Sequence, residues 1–282
     1  MVSILTLVNT GGLDAAIEHE APAFLRAQGV TLHELSRHGN ALDLTLEGTP
    51  TGLEAEAEKW KVDFALQPAA HRQKRLLVSD MESTLVQNEF LDDIAALAGV
   101  GERVRDITAR AMNGELDFAG ALKARLALIA GQPEGLLEKA WEGVRWMPGA
   151  KELFAALRTN GVRTLIVSGG FRFFTGRVRE ILGADGDSAN DLVIENGKFT
   201  GAPVEPILGR EVKEQLLERT ATEMGIPLHE TLAVGDGAND LPMLLRAGLG
   251  VAFHAKPNVA AAAKCRVRYS DLTALLAFAG IR

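Results

Sequence analysis

Three short runs of uninterrupted apolar residues constrain this chain more than any other feature. Leu76-Leu77-Val78 ends at Ser79-Asp80, Thr164-Leu165-Ile166-Val167 at Ser168-Gly169-Gly170, and Thr231-Leu232-Ala233-Val234 at Gly235-Asp236-Gly237. A strand with one wet face alternates apolar and polar residues; a strand buried on both faces does not. These runs therefore predict a parallel sheet covered by helices on both sides. Residues 249–253 form a fourth run, weakened by Gly250. Helical stretches lie between the runs. Residues 151–159 put Leu153, Phe154 and Leu157 on one face and stop at Asn160-Gly161; residues 211–224 are closed by Gly225. Strands alternating with helices give an α/β class, a doubly wound parallel sheet.

A chain of 282 residues has room for about two domains at ~150 residues each. Residues 1–70 predict a small α+β domain. Residues 2–8 read as a strand and 14–27 as a helix. Residues 30–36 and 41–46 read as paired strands turning at His38-Gly39-Asn40, and 53–66 as a second helix. The polar, proline-marked stretch 67–74 reads as a linker. Residues 71–282 would carry the parallel sheet. Within them, residues 87–148 hold four helical segments, 92–98, 104–112, 118–130 and 133–143. That is too long for a simple crossover and predicts a helical cap. Residues 192–200, with Asn196-Gly197 at the centre, predict a hairpin.

Composition removes whole classes of function. Hydrophobic residues make up 47% and charged residues 24%, an ordinary globular balance. The single cysteine, Cys265, excludes an internal disulfide and a multi-cysteine zinc site. A net charge of −7 argues against broad nucleic-acid binding, which needs a basic face. No segment reaches the ~18 apolar residues of a membrane span. The start, MVSILTLVNTGG, has no basic leader region, so the expected compartment is the cytoplasm. The six histidines are scattered and none reads as a metal ligand.

Ligands of open α/β sheets bind at the carboxyl ends of the strands. Asp80, Ser168 and Asp236 should therefore converge, with Glu82 and Asp240 close by. Four carboxylates in one crevice repel strongly, by about 4 kcal/mol per pair at 4 Å and an effective dielectric of 20. A cation must hold them together. Oxygen ligands without nearby Cys or His favour a hard ion, Mg²⁺ above all. Lys213, near the start of a helix, offers a second positive charge. This inventory suits phosphoryl transfer. One carboxylate attacks phosphorus, a second moves protons, and Ser168 with the amides of Gly169 and Gly170 receives the equatorial oxygens. Other readings of the same residues are weaker. Asp80 could cap a helix, but Gly235–Asp240 lacks the acid spacing of a calcium loop and the third glycine of a dinucleotide fingerprint.

In this set and order, Asp80-Met81-Glu82-Ser83-Thr84, Ser168-Gly169-Gly170, Lys213 and Gly235-Asp236-Gly237-Ala238-Asn239-Asp240 resemble the four motifs of the haloacid dehalogenase superfamily. Within it, the phosphoserine phosphatases are the branch to which residues 75–275 are similar. The stretch Asn88-Glu89-Phe90-Leu91-Asp92-Asp93-Ile94-Ala95, together with Met112, Phe118 and Arg125, resembles their cap. The resemblance implies a Mg²⁺-dependent hydrolase acting on a small phosphomonoester, O-phosphoserine, through an aspartyl-phosphate in serine biosynthesis. It implies Asp80 as nucleophile and metal ligand, and Glu82 as general acid/base with its carbonyl on the metal. Asp236 and Asp240 would hold the metal site, and Ser168, Gly169 and Lys213 the phosphoryl group, with Gly170 and Asn239 lining the site. Glu89 and Arg125 would bind the amino and carboxylate groups, with Met112 and Phe118 beside them. Residues 1–70 are similar to the ACT-like domain that precedes some bacterial members. A homodimer stays open.

One residue departs from the pattern. The branch usually carries Asp where this chain has Glu82, one methylene longer than a tight catalytic geometry expects. Relatives that resemble phosphoserine:homoserine phosphotransferases carry Glu there, so transfer to an alcohol is a second expectation. A third is a weakly catalytic amino-acid sensor working through residues 1–70.

Overall fold

The computed structural model describes residues 1–112 and 115–282, and only the backbone of residue 112. The chain begins with β1 (Val2–Val8), α1 (Ile17–Ala27), β2 (Thr31–His38), β3 (Ala41–Glu47), α2 (Leu53–Trp60) and β4 (Asp63–Pro68). β1 lies between β3 and β4, antiparallel to both, and β2 forms the outer edge. Alternation sorts the two faces of this sheet. Leu5, Leu7, Leu42, Leu44 and Leu46 point to one side and pack with Ile17, Leu25 and Ala57 of the helices. Thr6, Val8, Ala41 and Asp43 occupy the other.

Two expectations fail here. The second helix does not run through residues 53–66; Lys61 takes the left-handed conformation (φ +53°) and closes α2, and the chain then enters β4. The stretch 67–74 is not a loose linker. Gln67 and Lys74 are buried, and the Lys74 ammonium donates to the carbonyls of His71 (2.6 Å) and His229 (2.9 Å).

The remainder is built on β5 (Leu76–Ser79). Four cap helices follow: α3 (Phe90–Leu97), α4 (Gly101–Met112), α5 (Phe118–Ala127) and α6 (Leu136–Glu142). Then come α7 (Ala150–Thr159), β6 (Arg163–Phe171), α8 (Arg172–Leu182), β7 (Gly186–Asn190) and the hairpin β8 (Leu192–Glu195)–β9 (Lys198–Pro203). The chain ends through α9 (Arg210–Glu223), β10 (Thr231–Gly235), α10 (Leu241–Arg246), β11 (Leu249–Phe253), α11 (Pro257–Ala262), β12 (Cys265–Val267) and α12 (Ala274–Ala279). Strands β12, β11, β10, β5, β6 and β7 lie side by side and parallel. The expected α/β parallel sheet with an inserted helical cap is thus present. The short β7 and β12 were not expected, because neither carries an apolar run long enough to register.

The parallel and antiparallel strands form one ten-stranded sheet, joined where Arg266 of β12 faces Phe64 of β4. The Asp63 carboxylate strengthens that seam by accepting the backbone N–H groups of Arg268 (2.7 Å), Tyr269 (3.1 Å) and Ser270 (2.8 Å). The cap shares its core with the sheet. Phe90 stacks on Phe174 at 3.8 Å, and Leu122, Leu126, Leu136 and Leu137 belong to the same buried cluster as Leu77 and Ile166. Trp141 and Trp146 pack against this cluster. Asn196 and Gly197 both have positive φ (+49° and +74°), the geometry of a tight hairpin turn. The hairpin then pairs with the cap, Gly131 and Glu134 donating to the carbonyls of Phe199 and Gly197.

Candidate active site

β5, β6 and β10 are adjacent and parallel, so their carboxyl ends open onto one rim. The cap closes over that rim and leaves a cleft of about 430 Å³. Asp80 leaves the end of β5, and its own N–H is tied to the Val234 carbonyl of β10 (3.0 Å). Its Oδ1 accepts from the Met81 N–H (2.8 Å) and the Lys213 ammonium (2.8 Å). Oδ2 has no hydrogen-bond partner among the described residues. Lys213, on the first turn of α9, also bonds Asp240 at 2.6 Å, and Asp240 in turn accepts the Gly237 N–H (2.9 Å). Gly235 is glycine for a visible reason: a Cβ there would run into the Asp240 carboxylate.

Asp80, Asp236 and Asp240 bring one oxygen each to within 4.8 Å of one another. The electrostatic cost is plain. Burial, and then Asp240, push the Asp80 carboxyl well above the usual range, against the pull of Lys213. Burial and Asp240 raise Asp236 to about 6. Burial alone would pull the Lys213 ammonium down, but Asp240 and Asp80 more than offset it and raise its pKa. One lysine thus bonds two of three crowded carboxylates. An oxygen-only donor set with surplus negative charge fits a hard divalent cation.

Glu82 sits across the cleft. Its Oε1 accepts the Phe90 N–H (2.8 Å) and its Oε2 the Ser168 hydroxyl (3.3 Å). Ser168 accepts the Gly170 N–H at 2.9 Å. The longer arm fits because Gly170 has no side chain; a Cβ there would strike Glu82 Oε2. Burial, then the charge of Glu89, raise the Glu82 carboxyl to about 8. At that value the carboxyl keeps its proton at neutral pH.

A chain of this fold with this rim can be placed directly. Residues 74–248 match the haloacid dehalogenase-like hydrolase family. The chain belongs to that family.

The hydrolase has close relatives of known name. It is 45% identical over 206 residues to a phosphoserine phosphatase of Archaeoglobus fulgidus, a match covering 72% of this chain and 60% of that one. The match thus spans less than two thirds of that curated relative's length. A probable phosphoserine phosphatase from Vibrio cholerae, solved without ligand, superposes with a TM-score of 0.83 at 34% identity, covering 99% of this chain and 86% of that one. A solved phospho-aspartyl intermediate analogue of a phosphoserine phosphatase superposes at 0.68 and 40% identity, over 72% of this hydrolase and 98% of that chain.

All but one of the remaining sequence-predicted residues also reach the cleft. Glu89, Phe118, Arg125, Gly169 and Asn239 line it. Phe118 is half-buried and lies against Gly169, where a Cβ would come within 3.1 Å of its ring. Arg125 makes no ion pair among the described residues, and desolvation lowers its pKa against the charges of Asp92, Glu82 and Glu89. The side chain of Met112 lies outside the described residues. Sequence reasoning missed Ser83, whose hydroxyl donates to Glu89 at 2.7 Å while its backbone sits at φ +55°. It also missed Lys256 and Arg210 on the cleft wall. Lys256 was within reach, since it follows the carboxyl end of β11 just as Asp236 follows β10.

Proposed function

We propose that this hydrolase is a Mg²⁺-dependent phosphoserine phosphatase. The carrying observation is one cleft lined by Asp80, Asp236, Glu89 and Arg125, with Lys213 bonded to Asp80 and Asp240. The names of its relatives support the same reading. Asp80, Asp236 and Asp240 would hold the ion, which when bound supplies charge neutralisation at the phosphoryl oxygens.

The chain's own residues do the rest. Lys213 and Met81 fix one Asp80 oxygen, leaving Oδ2 to attack phosphorus as the P–O bond to serine breaks. Glu82, protonated, gives its proton to the departing serine oxygen. The resulting carboxylate then takes a proton from the water that opens the aspartyl-phosphate, which frees Asp80 and releases phosphate. Ser168 and the amides of Gly169 and Gly170 receive the phosphoryl oxygens. Glu89 receives the substrate ammonium and Arg125 its carboxylate. We read residues 1–70 as a separate module docked on the catalytic one.

A panel of phosphate esters assayed with Mg²⁺, without it and with EDTA tests the assignment. Phosphoserine should be preferred and EDTA should abolish turnover. Asp80→Asn should lower kcat by about 10⁴-fold or more and prevent trapping of a phosphoenzyme; turnover at the wild-type rate refutes the mechanism. The position of Glu82 keeps a second reading in view, transfer to a small alcohol. Phosphoserine mixed with homoserine should give free phosphate; phosphohomoserine as the main product would favour the transferase.

A further inference from the structure

Glu82 is held from two sides, and the two sides belong to different parts of the molecule. Its Oε1 accepts the N–H of Phe90, the first residue of α3 in the cap. Its Oε2 accepts the hydroxyl of Ser168, near the end of β6, which runs straight into α8. Whatever fixes the start of α3 against the start of α8 therefore fixes the distance between the two donors. One contact does so. The rings of Phe90 and of Phe174, on the first turn of α8, lie face to face, with centroids 3.8 Å apart and planes within 2° of parallel. Both side chains are fully buried. The other aromatic contacts among the described residues cross at 31° or more. A stacked pair shows its whole face to its partner, so a shift of either segment opens a gap that close packing disfavours.

We propose that Phe90 and Phe174 are positioning residues for Glu82: their stack sets the spacing of the Phe90 N–H and the Ser168 hydroxyl, and so aims the carboxyl at the leaving oxygen. Neither ring acts on substrate; both act through Glu82. The inference rests on the reading of Glu82 as the general acid. A Glu has one more rotatable bond than the Asp usual at this place, so it has more freedom to lose and needs two fixed donors to hold one orientation.

The stack is braced from outside. Phe173 meets Phe174 edge-on at 5.0 Å, and Trp141 of α6 lies 6.3 Å from Phe90. Arg177 of α8 covers them, its guanidinium 3.9 Å from the Phe173 centroid and 5.7 Å from that of Trp141. The same guanidinium donates twice to the Glu138 carboxylate of α6, at 2.5 and 2.7 Å. A lone surface ion pair contributes little, but a two-pronged one laid over aromatic faces holds its partners in one geometry. The cap helices α3 and α6 and the core helix α8 are thus tied around one ring pair. Leu122, Leu126, Leu136 and Leu137 of the cap fill the same core with aliphatic bulk. The flat pair stands where the two segments that hold Glu82 meet.

The test uses the intact chain in two measurements, steady-state hydrolysis of phosphoserine with Mg²⁺ and amide exchange of the free protein. The variants are Phe174→Leu, Phe174→Met, Glu82→Gln and the double variant Phe174→Leu/Glu82→Gln. Phe174→Met keeps the bulk without the flat face and guards against a Phe174→Leu that does not fold. Each Phe174 variant should lower kcat by about tenfold with KM changed by less than about threefold, because Glu89 keeps its bond to Ser83. In the Glu82→Gln background the same substitution should cost less than about twofold, since a group already removed cannot be misplaced. The Phe90 amide, whose partner is Glu82, should exchange faster in the Phe174 variants. The Asp93 amide, bonded within α3 to the Glu89 carbonyl at 3.0 Å, should not. Full multiplication of the two losses in the double variant overturns the proposal, because it makes the stack an independent structural contact. Unchanged kcat in both Phe174 variants overturns it too, as does equal acceleration at Phe90 and Asp93. A wild-type chain that leaves phosphoserine intact fails the substrate reading instead; the exchange comparison needs no substrate and still decides the stack.

Discussion

Glu82 shows how far a single residue can be read before its surroundings are known. Its type and position announced a proton-transfer group, and its extra methylene announced a misfit. Not legible in the sequence was the contact with Gly170, 88 residues away in the chain, whose absent side chain makes the space. The pH profile follows. The folded Glu82 is protonated below about 8, so the general acid proposed above is present there and lost above it. kcat/KM should fall as pH rises through about 8, and Glu82→Gln should flatten that limb while lowering the plateau by about 10²-fold or more. The carboxylate cluster makes a second claim. Asp236, raised to about 6, keeps its proton in the folded protein while the unfolded chain, near 3.8, has lost it. Between those values the unfolded state binds fewer protons, so metal-free stability falls as pH rises. Mg²⁺ prefers the deprotonated cluster. At one hundred times its Kd it should stabilise the fold by about 2.7 kcal/mol, and a fixed Mg²⁺ concentration should therefore raise Tm more at pH 7.5 than at pH 5. Equal shifts at both pH values would remove the metal from this cluster. Convergence of Asp80, Ser168 and Asp236 was legible because the strand-end rule needs only local sequence. The Ser83–Glu89 bond was not, because it depends on a left-handed backbone at a residue that gives no sign of one.

At the scale of elements, long periodic segments announced themselves and short ones did not. The cap helices fall close to their expected places because each carries three or four apolar residues at helical spacing. β4 was absorbed into the preceding helix because Phe64, Leu66 and the alanines before them fit both periods; Lys61 ended the helix by adopting a conformation that lysine rarely signals. α5 matters most to the site, since it carries both Phe118 and Arg125. It starts cleanly because the Asp117 carboxylate accepts the Gly120 N–H at 2.7 Å. Asp117→Ala should cost about 1 kcal/mol, seen as a lower Tm. On the proposed assignment it should also raise KM for phosphoserine more than it lowers kcat, because α5 carries two of the residues proposed to bind substrate. A mutant with unchanged Tm would show that the cap does not lean on this bond.

Over the whole molecule, the most consequential feature is the one the sequence hid. Asp63 looked like a helix residue and is instead a buried carboxylate satisfying three amides of the segment after β12. Asp63→Ala strands those donors and should cost about 3 kcal/mol, lowering Tm by roughly 5 °C. Melting should still occur in a single step if both portions of the sheet unfold together; two separated transitions would show that they do not. The seam between β4 and β12 also changes what amputation means. Cutting this chain after residue 70 would do more than take away an appendage. It would bare the flank of β12, with its unsatisfied amides and carbonyls, as a template on which other polypeptides could stack. A shortened version should thus clump at concentrations where the intact chain stays dispersed, and the first 68 residues act, whatever else they do, as a hem on the catalytic fabric.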